Sequence, residues 1–217
     1  MASEAKPQSF QDREFFPSFC DCPYEQMRDD RYTSNTTGMN RKHWCLLGDI
    51  IQADTIIRPR IVAEDFQGNQ FVVAFYPDDP NDMPRLLKHF KVGNTIAIFY
   101  PLIHYFLDGT TGFRVDDSGK ALIMPLKLKD VIKMNEEVIK YTPVQGTQRK
   151  CHGCDKSTEN LNKCGGCTLF YYCNKDCQIK AWNEKDHKKF CKALKQKNVR
   201  DMHFLKYETY EGSITFT

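Results

Sequence analysis

Between Trp44 and Leu126 the apolar residues fall in short runs broken by Gly, Pro, Asn and Asp, with no stretch long enough for a buried helix. The runs are 44–51, 60–65, 71–76, 95–99, 112–115 and 121–125, each of strand size. Gln67-Gly68-Asn69 joins the second to the third as a hairpin would, and Asp108-Gly109 is a turn pair that tolerates positive φ. One helix-sized interruption, 82–90, offers Asp82 as N-cap, Pro84 early, and Leu86, Leu87 and Phe90 at helical spacing. Three strands, a helix and further strands is the order of a small antiparallel barrel of the OB type.

After the strands the period changes. Residues 126–141 place Leu128, Val131, Ile132, Met134, Val138 and Ile139 near one stripe, which predicts a second, amphipathic helix packed on the barrel. Residues 142–147 carry the Pro and Gly of a linker. Residues 1–40 show neither period and read as an arm, pinned by Phe15, Phe16, Pro17 and Phe19 because exposed phenylalanines are costly. The expected organisation is α+β: an arm over 1–40, a β-barrel-like domain with two helices over 41–145, a cysteine-rich module over 146–200 and a tail over 201–217.

The cysteine-rich segment carries the chemistry. Cys151-x2-Cys154, Cys164-x2-Cys167, Cys173-x3-Cys177 and His187-x3-Cys191 put seven of the ten cysteines and one histidine into 41 residues. Eight ligands in four pairs suit two closed tetrahedral zinc sites with no open position for substrate. Gly165-Gly166 eases the second knuckle, and His187 and Cys191 share a face if helical. Spacing alone permits three ways of combining the pairs into two sites.

The order of these ligands, with Tyr172 before the fifth and Gln178 and Trp182 after the sixth, closely resembles the MYND zinc finger. The resemblance covers 41 of 217 residues and every ligand position agrees. It implies that Cys151, Cys154, Cys173 and Cys177 hold one zinc ion, that Cys164, Cys167, His187 and Cys191 hold the other, and that the segment forms a short hairpin and a small helix. The region before the finger has a fainter resemblance to small fungal MYND proteins.

Function follows in two steps. Thr168, Leu169, Phe170 and Tyr171 form a β-type run between ligands, and an edge strand can receive a partner peptide through its main chain. MYND fingers that bind Pro-x-Leu-x-Pro peptides use residues matching Gln178 and Trp182, so the resemblance implies an adaptor that docks proline-rich segments of other proteins. The resemblance also raises SET-domain lysine methyltransferases, yet neither that domain's Asn-His-Ser-Cys run nor a hydrolase, phosphate-loop or metalloprotease motif is present. The chain reads as a non-enzyme.

Charge and cysteine context add less. The formal charge is +3, but residues 1–139 hold 16 basic against 20 acidic residues and 140–200 hold 14 against 5. Lys185, Lys188, Lys189, Lys192, Lys195, Lys197 and Arg200 read as a solvated helix face. Nucleic-acid binding by the barrel's aromatics is the alternative function, weakened by the acidic balance there. Cys20, Cys22, His43 and Cys45 are candidates for a third metal site at an uncommon spacing, and buried thiols explain them better. His152, between two ligands, reads as exposed. A polar start and the lack of a long apolar run point to an intracellular protein that no membrane holds.

Overall fold

A computed structural model describes residues 6–54, 59–77, 87–143 and 148–216. Seven strands form one sheet: β1 (Cys45–Asp54), β2 (Arg60–Glu64), β3 (Gln70–Phe75), β4 (Thr95–Phe99), β5 (Ile103–Tyr105), β6 (Thr111–Val115) and β7 (Ala121–Met124). Their order is β5-β6-β3-β2-β1-β4-β7, antiparallel except for β3 with β6. Every apolar run expected to be a strand is one. The sequence reading missed β5, three residues between Pro101 and the Asp108-Gly109 turn, too short to show alternation.

β5 matters because it continues the chain from β4 onto the other end of the sheet. β4 pairs with β1, while β5, starting four residues after β4 ends, pairs with β6. Tyr100, at φ 55°, and Pro101 make the corner between them. Side chains of all seven strands meet in a single apolar cluster that includes Leu46, Ile61, Val73, Ile98, Phe113 and Ile123. Of the helix expected over 82–90, residues 82–86 lie outside the described residues; Leu87 is helical and packs on the same cluster.

By compactness the chain forms two units that do not follow the expected boundaries. The sheet unit comprises residues 10–131 and 206–217. The segment expected as an arm is woven into it: Phe10, Phe15 and Phe16 are buried, Phe19 stacks on Phe71 at 5.2 Å, and the Cys45 amide bonds the Phe15 carbonyl at 2.8 Å. The tail belongs to it as well. Tyr207 is fully buried with its carbonyl accepting from the His43 amide, and Phe216 meets Phe99 at 5.2 Å.

The second unit comprises residues up to 9 and 132–205. It contains most of α1 (Leu128–Tyr141), then β8 (Asn162–Lys163) paired with β9 (Tyr171–Tyr172), α2 (Lys175–Glu184), α3 (His187–Leu194) and α4 (Lys197–Phe204). The helix predicted over 126–141 forms, and its last ten residues fall in the same unit as the cysteine-rich segment. The reason is specific: Asn135, Glu137 and Tyr141 on α1 have partners in that segment and in α4. The linker residues 144–147 lie outside the described residues. Among the described residues no helix is long and apolar enough to cross a membrane.

Candidate metal centre and peptide surface

The eight predicted ligands gather into two groups of four: Cys151, Cys154, Cys173 and Cys177, and Cys164, Cys167, His187 and Cys191. Within each group the ligand atoms lie within 4.8 Å of one another. A zinc tetrahedron with Zn–S bonds of about 2.3 Å and a Zn–N bond of about 2.0 Å has S···S edges of roughly 3.8 Å and S···N edges of roughly 3.6 Å. Cys154 and Cys173 sulfurs are 3.7 Å apart, those of Cys164 and Cys191 3.8 Å, and His187 Nε2 lies 3.4 Å and 3.9 Å from the Cys164 and Cys167 sulfurs. Both groups fit one zinc ion each, and the four pairs combine in the interleaved way the finger resemblance implies.

Local structure sets the ligands. After each Cys-x2-Cys pair the chain closes a turn with the next residue in the left-handed region: Asp155 at φ 61° bonds back to the Cys151 carbonyl, and Thr168 at φ 62° to that of Cys164. Asp tolerates that conformation better than a β-branched Thr does. The glycines serve close approach. A Cβ at Gly166 would stand 2.6 Å from the Cys191 sulfur, and one at Gly153 would stand 2.3 Å from the Cys177 carbonyl oxygen, while Gly165 faces open space. Asn174 caps α2, its side chain accepting from the Cys177 amide at 2.9 Å, and so fixes the helix turn that carries that ligand.

His152, expected to be exposed, is fully buried. It stacks on Phe170 at 4.1 Å, meets the Tyr141 ring edge-on at 4.6 Å, and bonds Glu137 through Nε2 at 2.8 Å. Burial lowers the His152 pKa against the opposing pull of Glu137. Burial pushes the Glu137 carboxyl upward, but the bond to His152 and nearby lysines outweigh it and hold the group below its ordinary value. A neutral imidazole therefore donates from Nε2 to a carboxylate. At the end of α1, Tyr141 Oη donates to Asp155, while Lys185 bonds the same hydroxyl at 2.8 Å and Asp155 at 3.0 Å. The sequence offered no signal for these supports, because Glu137 and Tyr141 lie far from the ligands along the chain.

The candidate peptide residues do not form one surface. Phe170 is buried against His152, since alternation along the run turns its side chain inward as Tyr171 turns outward. Thr168, Leu169 and Tyr171 line a cavity of about 350 Å³ with residues of α4. Trp182, 37% exposed, lines a separate depression with Asp186, Lys188 and Lys192. Gln178 stands one turn before Trp182 on α2, and Ile179 beside it is 48% exposed.

Cys20, Cys22, His43 and Cys45 do not converge; among the described residues only the two clusters above are suited to a metal. Cys20 is exposed, Cys22 donates to the Ser18 carbonyl, and His43 Nδ1 meets the Tyr100 hydroxyl at 2.5 Å. Burial raises the pKa of both Cys22 and Cys45, as befits thiols in an apolar core.

Residues 151–191 match the MYND finger family model. Human histone-lysine N-methyltransferase SMYD1 is 44% identical over 46 residues, which is 21% of this chain and 9% of that protein. Arabidopsis thaliana histone-lysine N-methyltransferase ASHR1 is 44% identical over 48 residues, and N-lysine methyltransferase SMYD2-A of Danio rerio is 31% identical over 90 residues, 41% of this chain and 20% of that one. The chain thus spans between 9% and 20% of the length of these relatives. A chain of the S. pombe Stn1-Ten1 complex overlays 51% of this chain at 16% identity with a TM-score of 0.34, covering 79% of its own length. The ligand geometry and the family match agree that residues 151–191 are a MYND zinc finger built for two zinc ions.

Proposed function

We propose that the chain is a non-catalytic adaptor whose zinc finger docks proline-rich, Pro-x-Leu-x-Pro-like segments of partner proteins inside the cell. The observation that carries this reading is the exposed pair Ile179 and Trp182 on α2. They lie three residues apart and so on neighbouring positions of one helix face, with Gln178 one turn before the indole. Trp182, over a third exposed, and Ile179, nearly half exposed, together offer an apolar surface that a partner segment can cover. The helix is held rigid by its asparagine cap and by Cys177 as a ligand, which lowers the ordering cost of binding. The relatives are methyltransferases, but their likeness covers so little of their length that a docking role transfers more readily than methyl transfer.

We read the barrel as OB-type from its strand order, the parallel β3–β6 pairing and the β4–β5 corner. Nucleic-acid binding there has less behind it, because Arg60 is paired with Asp108 and Arg114 with Asp116. The test of docking is titration of Pro-x-Leu-x-Pro peptides against the zinc-loaded chain and its Gln178→Ala and Trp182→Ala variants. Trp182→Ala should lose roughly 1 kcal/mol or more of binding with both zinc ions retained. Equal affinity of both variants and the parent would refute it.

A further inference from the structure

We infer that Cys154 and Cys173 form an oxidation site: a hydroperoxide joins them as a disulfide, and the first zinc site opens while the second stays closed. The two tetrads differ in exposure. Cys164, Cys167, His187 and Cys191 are all buried, whereas in the first group Cys151 is buried and Cys154, Cys173 and Cys177 are partly open to solvent. They differ in charge as well. Four thiolates exceed the charge of one zinc ion by two, and three thiolates with a neutral imidazole exceed it by one, so the first set is the richer in electrons toward an electrophile. The second tetrad holds two sulfurs as close, those of Cys164 and Cys191 at 3.8 Å, so access and charge, not proximity, separate the two groups.

Local structure picks the pair. The buried Cys151 sulfur accepts from the Cys173 amide at 3.4 Å, which stabilises its charge and dulls it as a nucleophile. Cys177 lies in the first turn of α2, its amide held by Asn174 at 2.9 Å and its backbone against Gly153, so it has little room to move. Cys154 and Cys173 lie outside helix and strand, with sulfurs 3.7 Å apart. One thiolate attacks the peroxide, the O–O bond breaks and hydroxide leaves, giving a sulfenic acid. The other thiolate attacks that sulfur, the S–O bond breaks and a second hydroxide leaves. Two protons from solvent convert both hydroxides to water, so two thiolates give two electrons to one peroxide. The disulfide leaves Cys151 and Cys177 as ligands, too few for a closed tetrahedral site. Cys177 then no longer pins the start of the helix that carries Gln178, Ile179 and Trp182. Its effect on docking rests on the reading above; the oxidation itself does not.

The experiment uses the full chain with both zinc ions bound, carrying Cys20→Ser so that the exposed free thiol takes no part. Hydrogen peroxide is added in small excess, zinc release is followed with a chromophoric chelator, and the remaining thiols are alkylated and mapped by mass spectrometry. One of the two bound ions should be lost in a first, separate phase, with Cys154 and Cys173 crosslinked and Cys164, Cys167 and Cys191 still reduced. Dithiothreitol with added zinc should restore it. Binding of a Pro-x-Leu-x-Pro peptide should fall over the same phase. A chain that loses one ion and forms this crosslink, yet binds no such peptide even before oxidation, would support the oxidation site and refute the docking reading alone. Retention of both ions, loss of both in one phase, loss beginning at the second tetrad, or a first-phase disulfide on any other pair would each overturn the assignment.

Discussion

At Gly153 a methyl group would stand 2.3 Å from the Cys177 carbonyl oxygen and 2.6 Å from its Cα, both backbone atoms that a zinc ligand holds in place. Gly165, two positions into the other knuckle, faces nothing within 4 Å. The sequence pointed to Gly165-Gly166 as the pair that eases a knuckle and passed over Gly153, because spacing shows where a turn is needed and not which backbone will lie against it. Overpacking a rigid contact costs roughly 1–3 kcal/mol. Gly153→Ala should therefore weaken the first zinc site by about fivefold or more in competition with a chromophoric chelator, and Gly165→Ala should titrate like the parent. The ligands themselves were legible, since four pairs at metal-ligand spacing within 41 residues mark the eight positions that gather into the two groups. The supports were not: His152 looked exposed because nothing near it in sequence announces Glu137, Tyr141 or Phe170, which reach it only through folding.

Among the elements, strands with alternating or fully apolar runs were readable, and β5 was not, since three residues carry too little pattern. α1 was readable as a helix, and its first turn does meet β1, where the Leu128 amide donates to Asp49; its last ten residues fall in the other unit, because amphipathicity tells that a face is buried and not what buries it. Two tests belong to single helices. Asn174 caps α2 at the turn holding Cys177, so Asn174→Ala should cost about 1 kcal/mol and lower zinc affinity without unfolding the barrel strands. His203 in the last turn of α4 is fully buried, accepts from Asn135 at 3.0 Å, and is pushed down by burial from 6.5 to about 3. The folded state resists protonating it, whereas the unfolded chain binds the proton near pH 6.5, so the unfolded state holds more protons between these values and stability falls as pH falls through that window. The slope from this one group is at most about 1.4 kcal/mol per pH unit. Denaturation of His203→Gln and the parent, both with excess zinc, should show that slope only in the parent; equal slopes would assign acid sensitivity to the ligands instead.

For the whole molecule the question is which parts depend on metal. The sheet unit has an apolar cluster contributed by seven strands, and in addition Phe10, Phe16, Tyr207 and Phe99 are buried in contact with one another. The other unit buries Phe170, Tyr172, Phe190 and Leu194, yet these sit around the two tetrads, and His187 and Cys191 on α3 are ligands as well as core. Structural zinc contributes roughly 10–16 kcal/mol of apparent binding energy at neutral pH, more than such a unit keeps in reserve. Removing zinc with a strong chelator should therefore unfold residues 148–204 while β1–β7 stay folded. Because Asn135, Glu137 and Tyr141 bond within the zinc-dependent unit, the last turns of α1 should unfold with it, a boundary near residue 132 instead of the linker near 145 that composition suggested. Amide hydrogen exchange read by mass spectrometry distinguishes the two. Loss of protection over 132–143 together with the finger, and retained protection over 45–54 and 95–99, is the expected pattern. Cys173→Ser, which opens the first site alone, should reproduce it in part, with the second tetrad and α3 slower to exchange than under chelation. Protection of 132–143 that persists after both ions are gone would place α1 with the barrel, and loss of protection throughout the chain would mean that the barrel too depends on zinc.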